Sequence, residues 1–319
     1  MSSQAAPRAH RVSPEAVRVG IIWITVLVLV AVSAPSAFLS VANVANIGLS
    51  VAVTGVVAVG LTLAISTGAV DLSYPVVMSL SGITLAVLLE SGWPLLLALA
   101  GTLCVAALVG LTNGALSVVF GVDPLITTLA TNTILVSLLI IFTGSEVFAV
   151  AGETIEHIGR GRIGSIPVPL IIFAACAILG ALILTRTVIG QKFTTVGNNS
   201  LASRLTGIRV ARVQVTALVV SAAFAGIGGV LMAANTGYVT AADGERYLLP
   251  VIAAVVLGGT AVSGGRGSVA GTTLGVLVLG TIGNGMNIHN LGSSSKMIVE
   301  GLVVLGSMAY YAKSMLRKS

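Results

Sequence analysis

The chain has 319 residues, of which 56% are hydrophobic and 8% charged, with a formal net charge of +6 and a mean hydropathy of +1.07. A soluble domain carries about 25% charged residues, so this composition excludes a soluble globular fold and indicates a polytopic membrane protein. The pI near 9.7 need only reflect membrane orientation, and no nucleic-acid partner is expected.

Residues 1–18 are polar and basic and are expected to form a cytoplasmic tail. The apolar run that follows, with Ser33-Ala34-Pro35-Ser36-Ala37 after it, mimics a cleaved signal peptide. A retained first span is favoured, because the rest of the chain is itself multispan. Spans are expected at about 19–39, 44–66, 75–90, 95–119, 124–143, 168–186, 213–235, 248–262, 268–285 and 296–313. A span needs roughly 20 residues, so 75–90 and 248–262 are short, and tilted, broken or re-entrant segments are expected there. The fold class is therefore all-α: a bundle of about ten transmembrane helices with broken or short members over 19–313, followed by a cytoplasmic tail at 314–319. In this topology twelve of the sixteen Lys and Arg residues face the cytoplasm. The other four, Arg160, Arg162, Arg246 and Lys296, face outward, a bias that places both termini inside. The largest external segments are 144–167 and 236–247. Cys104 and Cys176 fall in apolar runs and read as buried thiols without a disulfide.

Between the apolar runs lies a basic island, residues 185–214, with Arg186, Lys192, Arg204, Arg209 and Arg212 and no acid. It predicts a short helix. Asn199 is a good N-cap, residues 200–206 contain no helix breaker, and Gly207 sits where a left-handed residue is wanted. Leu201 and Leu205 share one face, with Ala202 beside Leu201. A helix with an apolar face held out in water has something to dock against, either a partner or the membrane surface.

Two helix breaks are expected. At Gly68 to Pro75, Asp71 reads either as a latch of the pathway or as the N-cap of the next helix; the cap is favoured and the two are compatible. At residues 257–275, Gly258, Gly259, Gly264, Gly265 and Gly267 predict a tight inter-span turn carrying Arg266. Asn113, Asn132, Asn284 and Asn287 lie inside spans, where an amide must face the bundle or a wet cavity. They either line a pathway for hydroxyl-rich solutes or bond helix to helix. Enzyme chemistry finds no support: there is no HExxH, GxSxG or GxxxxGK[ST] pattern. An ion-coupled transporter usually shows several intramembrane ionisable groups, so the energy for transport is expected from a partner docking at the basic loop.

Four segments carry a family resemblance: Gly60 to Ser73, Val122 to Leu129, Gly190 to Val210, and Ala253 to Gly267. Taken in order over about 40–312, they resemble the permease subunit of bacterial ABC importers for monosaccharides, the ribose, galactoside and autoinducer-2 type. The resemblance implies a cytoplasmic ABC ATPase, a second permease copy or paralogue, an extracytoplasmic solute-binding protein, and a location in the bacterial inner membrane. It implies no cofactor in this chain, ATP and Mg belonging to the ATPase. It makes the segment near Ser200 to Leu205 the coupling helix of the 186–212 loop, with Gly197, Asn199, Leu201, Ala202, Arg204, Leu205 and Gly207 as its contacts. Gly68, Asp71, Asn113, Asn132, Gly258, Gly259, Gly264, Gly265 and Asn284 are then the pathway or helix-break residues. Two departures from the family pattern stand out: Ser200 where an acid is common after the amide, and Ala69 where a Gly is common. The alternatives are an autonomous facilitator for small polar solutes and a branched-chain amino-acid permease of the same superfamily.

Overall fold

The computed structural model describes residues 14–316. The tail residues 1–13 and 317–319 lie outside the described residues. Residues 14–18, placed with the tail by sequence, are the start of α1 (Pro14–Ser33). After the short α2 (Pro35–Phe38), helices stand at the remaining expected spans: α3 (Val41–Ile65), α4 (Tyr74–Glu90), α5 (Leu95–Phe120), α6 (Pro124–Thr143), α8 (Val168–Arg186), α11 (Val210–Thr236), α12 (Leu248–Leu257), α13 (Val269–Ile288) and α14 (Ser293–Leu316). Among the described residues, α1, α3, α5, α6, α8, α11 and α13 are long and apolar enough to cross a membrane.

Near-uniform apolarity gives these helices no strong preferred face, so small residues decide who packs with whom. Helices α3 and α11 form the centre and are buried over most of their length, whereas α1 and α6 are mostly exposed. Gly110 brings α5 onto α11, since a Cβ there would lie 2.6 Å from the Leu218 carbonyl oxygen. Gly229 of α11 lies equally close to α4, 2.3 Å from the Met78 oxygen by the same measure. Cys176 is buried, but Cys104 sits on the exposed face of α5, contrary to the expectation of two buried thiols.

The broken regions differ most from expectation. Met78 lies against Gly229, and Gly82 against Ala233, so α4 runs parallel to α11. By that register α4 starts about 16 Å short of the end of α11, at 1.5 Å per residue. The segment 236–247, expected outside, instead descends along α4. Strand β4 (Tyr238–Val239) packs on Gly82, Gly244 donates its N–H to Ser79 Oγ at 2.9 Å, and Tyr74 Oη donates to the Leu248 carbonyl at 2.6 Å. Helix α12 therefore begins inside the bundle. Its 10 residues span only about 15 Å, so the expected span 248–262 is a half-helix followed by a glycine turn.

The segment 144–167 holds elements that the sequence pattern did not announce. β1 (Phe148–Ala149) pairs antiparallel with β4, and β2 (Arg162–Ile163) with β3 (Ile166–Pro167). Between them α7 (Glu153–Arg160) lies on α8 and α11. Arg160 donates to the carbonyls of Asn235 and Thr236, satisfying the open C-terminus of α11 where a cation is favoured.

Candidate functional site

The basic island folds as two helices. Thr187 Oγ1 caps α9 (Val188–Asn198) by accepting from Gly190 N at 3.1 Å, and Phe193 and Val196 anchor α9 in the core. The predicted short helix is α10 (Ser200–Leu205). Asn199 Oδ1 accepts from Ala202 N at 2.9 Å, and Gly207 has φ +84°. Ser203 is buried and donates to the carbonyls of Asn199 and Thr195, tying α10 to α9. Leu201 is 69% exposed and Leu205 84%, with Ala202 and Arg204 exposed beside them. Sequence reasoning missed α9; the Thr187 cap and the three-residue spacing of Phe193 and Val196 were its signals.

Gly197 does not share that exposed surface. It lies where three chain segments meet: the end of α9, the residues after α3, and the turn between α12 and α13. A Cβ on Gly197 would stand 2.2 Å from Ser66 O and 2.3 Å from Gly265 N. One on Gly264 would stand 2.8 Å from Gly68 Cα, and one on Gly265 2.5 Å from Asn198 Oδ1. Gly265 N donates to Ser66 O at 3.1 Å, and Thr62 and Thr272 hydroxyls bond across α3 and α13 at 2.7 Å. Gly68, Gly259, Gly264 and Gly265 all have positive φ, and Gly258 packs on the Thr272 backbone. The node is mostly backbone against backbone, with the Asn198 and Ser66 side chains packed on Gly265 and Gly267 and no room for a Cβ on Gly197, Gly264 or Gly265.

The break between α3 and α4 is held by side chains, because lipid offers its backbone no partners. Asp71 is not the N-cap of α4; Ser73 occupies that position. Asp71 Oδ1 holds the turn before it, accepting from Ser73 N at 2.9 Å and Ser73 Oγ at 2.6 Å. Asn113 donates to Ser73 Oγ at 2.8 Å. From α6, Thr128 Oγ1 accepts from Leu72 N at 2.9 Å, and Asn132 Oδ1 accepts from Val76 N at 3.0 Å. Asn132 Nδ2 also donates to Glu245 Oε1 at 2.9 Å, which ties the descending segment to the same knot. Asp71, Asn113 and Asn132 are thus all buried in bonds that hold this break, Asp71 within the turn and the two amides from α5 and α6.

An open recess lies at the opposite end of α3 from the glycine node. It comprises adjoining hollows of about 510 and 480 Å³ that share Leu49, Ser50, Asn235, Asn284 and Asn287. Asn43 and Asn46 line one, and Arg246, Tyr247, Pro250, Lys296 and Glu300 the other. Of the four intramembrane amides offered as pathway residues, Asn284 and Asn287 are here and Asn113 and Asn132 are not. Asn43 and Asn284 exchange amide hydrogen bonds at 3.0 and 2.7 Å. Among the described residues, the side chains of Asn46, Ser50 and Asn235 make no hydrogen bond. Tyr247 and Pro250, at the start of α12, are among its lining residues.

The family model for branched-chain amino acid transport system / permease component matches residues 43–308. The chain is 34% identical over 281 residues to the ribose import permease protein RbsC of Bacillus subtilis, covering 88% of this chain and 87% of the relative. It is 30% identical over 290 residues to the L-arabinose transport system permease protein AraH of Escherichia coli, covering 91% and 88%. It is 33% identical over 262 residues to the autoinducer 2 import system permease protein LsrD of Yersinia enterocolitica, covering 79% of each. No solved structure matches.

Proposed function

We propose, from the premise that this chain belongs to the branched-chain amino acid transport system / permease component family, that it is the membrane permease subunit of an ABC importer for a monosaccharide or similar polyhydroxylated solute. The relatives named for ribose, L-arabinose and autoinducer 2 support the sugar class. The family description names branched-chain amino acids, whose aliphatic side chains would want an apolar pocket. The recess at the start of α3 instead carries five amides beside its aliphatic lining.

The observation that carries the coupling is α10. A helix of six residues is too short to be stable alone, yet it is capped, tied down by Ser203, and holds Leu201 and Leu205 outward. Each leucine contributes about 2 kcal/mol when removed from water, which suits a groove on a cytoplasmic ATPase. That subunit carries ATP and Mg; this chain forms the pathway with a second permease copy or paralogue. The protein then sits in the bacterial inner membrane with both termini and α9–α10 in the cytoplasm. A soluble binding protein docks at the end that carries α7.

The mechanism follows from the connections. Closure of the ATPases displaces α10, and α9 carries the displacement directly to the glycine node. The node moves α3 and the α12–α13 turn together, since their backbones meet there directly. The test is recovery of the ATPase with the permease from membranes in mild detergent. Leu205→Asp should reduce it at least tenfold, with the permease still inserted. Undiminished recovery with both Leu201→Asp and Leu205→Asp rules out α10 as the dock.

A further inference from the structure

The recess differs in make-up from the exposed apolar faces of α1, α5 and α6. Those faces expose Leu, Ile and Val. Here Asn43, Asn46, Asn235, Asn284 and Asn287 gather around Ser50 from three helices. Amides are costly against lipid and belong next to protein or water. Asn43 and Asn284 satisfy each other, and Asn287 Oδ1 accepts from Lys296. Asn46, Ser50 and Asn235 retain their full capacity.

The charges around the recess cancel. Arg246 pairs with Asp243 at 3.6 Å and lies over the Tyr247 ring. Lys296 and Glu300 stand one turn apart on α14. These two cations and two acids leave no net formal charge for an ionic ligand to complement, which suits a neutral one. Amides and hydroxyls each donate and accept, and a sugar hydroxyl does the same. Tyr247 and Pro250 bring the start of the half-helix α12 to the recess.

We infer that this recess is a binding vestibule for a neutral polyhydroxylated solute of monosaccharide size, with Asn46, Ser50 and Asn235 reading its hydroxyls and Tyr247 and Pro250 forming the floor. The inference rests on the sugar-importer reading and adds a site within one permease subunit. The solute is received there from outside and waits on the side of α12 away from the ATPase.

The test separates the site from the reading. In the full importer, Ser50→Cys is introduced with both native cysteines replaced by Ser, and whole cells are treated with a charged, membrane-impermeant thiol reagent. Ser50→Cys should be labelled, as should Glu153→Cys on exposed α7, while Leu111→Cys on the apolar face of α5 should not. A labelled Glu153→Cys with an unlabelled Ser50→Cys overturns the vestibule whatever solute is carried. Uptake of labelled ribose and arabinose into vesicles holding the assembled importer is the second arm. Asn235→Leu should raise KM more than tenfold at an unchanged amount of assembled complex, and Asn235→Gln should recover part of it. Unchanged KM in Asn235→Leu overturns the contact. A wild type that takes up labelled leucine and neither sugar overturns the sugar reading, with the labelling result still deciding whether the recess is open to water.

Discussion

The two ends of α3 solve opposite problems. Around Ser66 three backbones touch through glycines and leave no space. Around Ser50 the same helix faces an open hollow edged with unpaired amide and hydroxyl groups. The sixteen steps from Ser50 to Ser66 make a rod of about 24 Å. A contact that tolerates no extra atom transmits motion; a surface with spare hydrogen-bonding capacity receives a ligand. The difference teaches that stability should be concentrated at one end of this helix and solute recognition at the other.

That contrast breaks most readily at the node. Gly197→Val places two methyl groups beyond a Cβ that already meets backbone at 2.2 Å. It should separate α9 from α3, costing at least about 3 kcal/mol and abolishing uptake, seen as a lowered melting temperature of the purified permease. A wild-type melting temperature would show that the node is loose. Leu205→Asp is expected to leave stability unchanged while preventing assembly with the ATPase, because the side chain touches nothing in this subunit.

Asp71 sharpens the comparison, since it is buried yet belongs to neither end. Asp71→Leu leaves Ser73 N and Oγ without their acceptor, a cost of about 1–3 kcal/mol for each group. Asp71→Asn keeps an acceptor for Ser73 N. Urea or thermal unfolding in detergent should therefore place Asp71→Asn close to wild type and Asp71→Leu well below it. Equal losses would mean that the carboxylate charge itself is required.

The smallest effect on stability is expected in the recess. Breaking the Asn43–Asn284 pair with Asn284→Leu should cost about 0.6 kcal/mol, the average for interhelical hydrogen bonds in membranes. The double variant with Asn43→Leu should cost less than the sum of the two singles. A loss as large as at Gly197 would mean that the two ends are mechanically alike.

Much of this was legible along the chain. The segments at 95–119, 124–143 and 168–186 coincide with α5, α6 and α8 within a residue, because a run of apolar residues between turn signals depends on nothing outside itself. Asn199 and Gly207 bound α10 for the same reason: a cap and a left-handed residue are local chemistry. The four intramembrane amides show where legibility stops. Asn113 and Asn132 are sealed in the knot around Ser73, whereas Asn284 and Asn287 line the recess. All four are single amides in apolar helices, and nothing beside them in the chain distinguishes the two pairs. The segment 236–247 misled in the same way: it looks like an external loop until α4 and α6 supply partners for Gly244 and Glu245.

The sequence by itself determined that the chain lives in a membrane, that it is helical, where most of its long helices lie, and that a capped basic helix stands out from it. Those properties follow from composition, local hydrogen bonding and the length needed to cross a bilayer. Only the tertiary structure decided that α12 is a half-helix starting inside the bundle, that Gly197 belongs to a node instead of to the docking face, and that Asn46, Ser50 and Asn235 share one hollow. In helices that are apolar all round, the direction each face points is set by which small residues let neighbouring backbones approach, and that is a property of pairs of helices far apart in the chain.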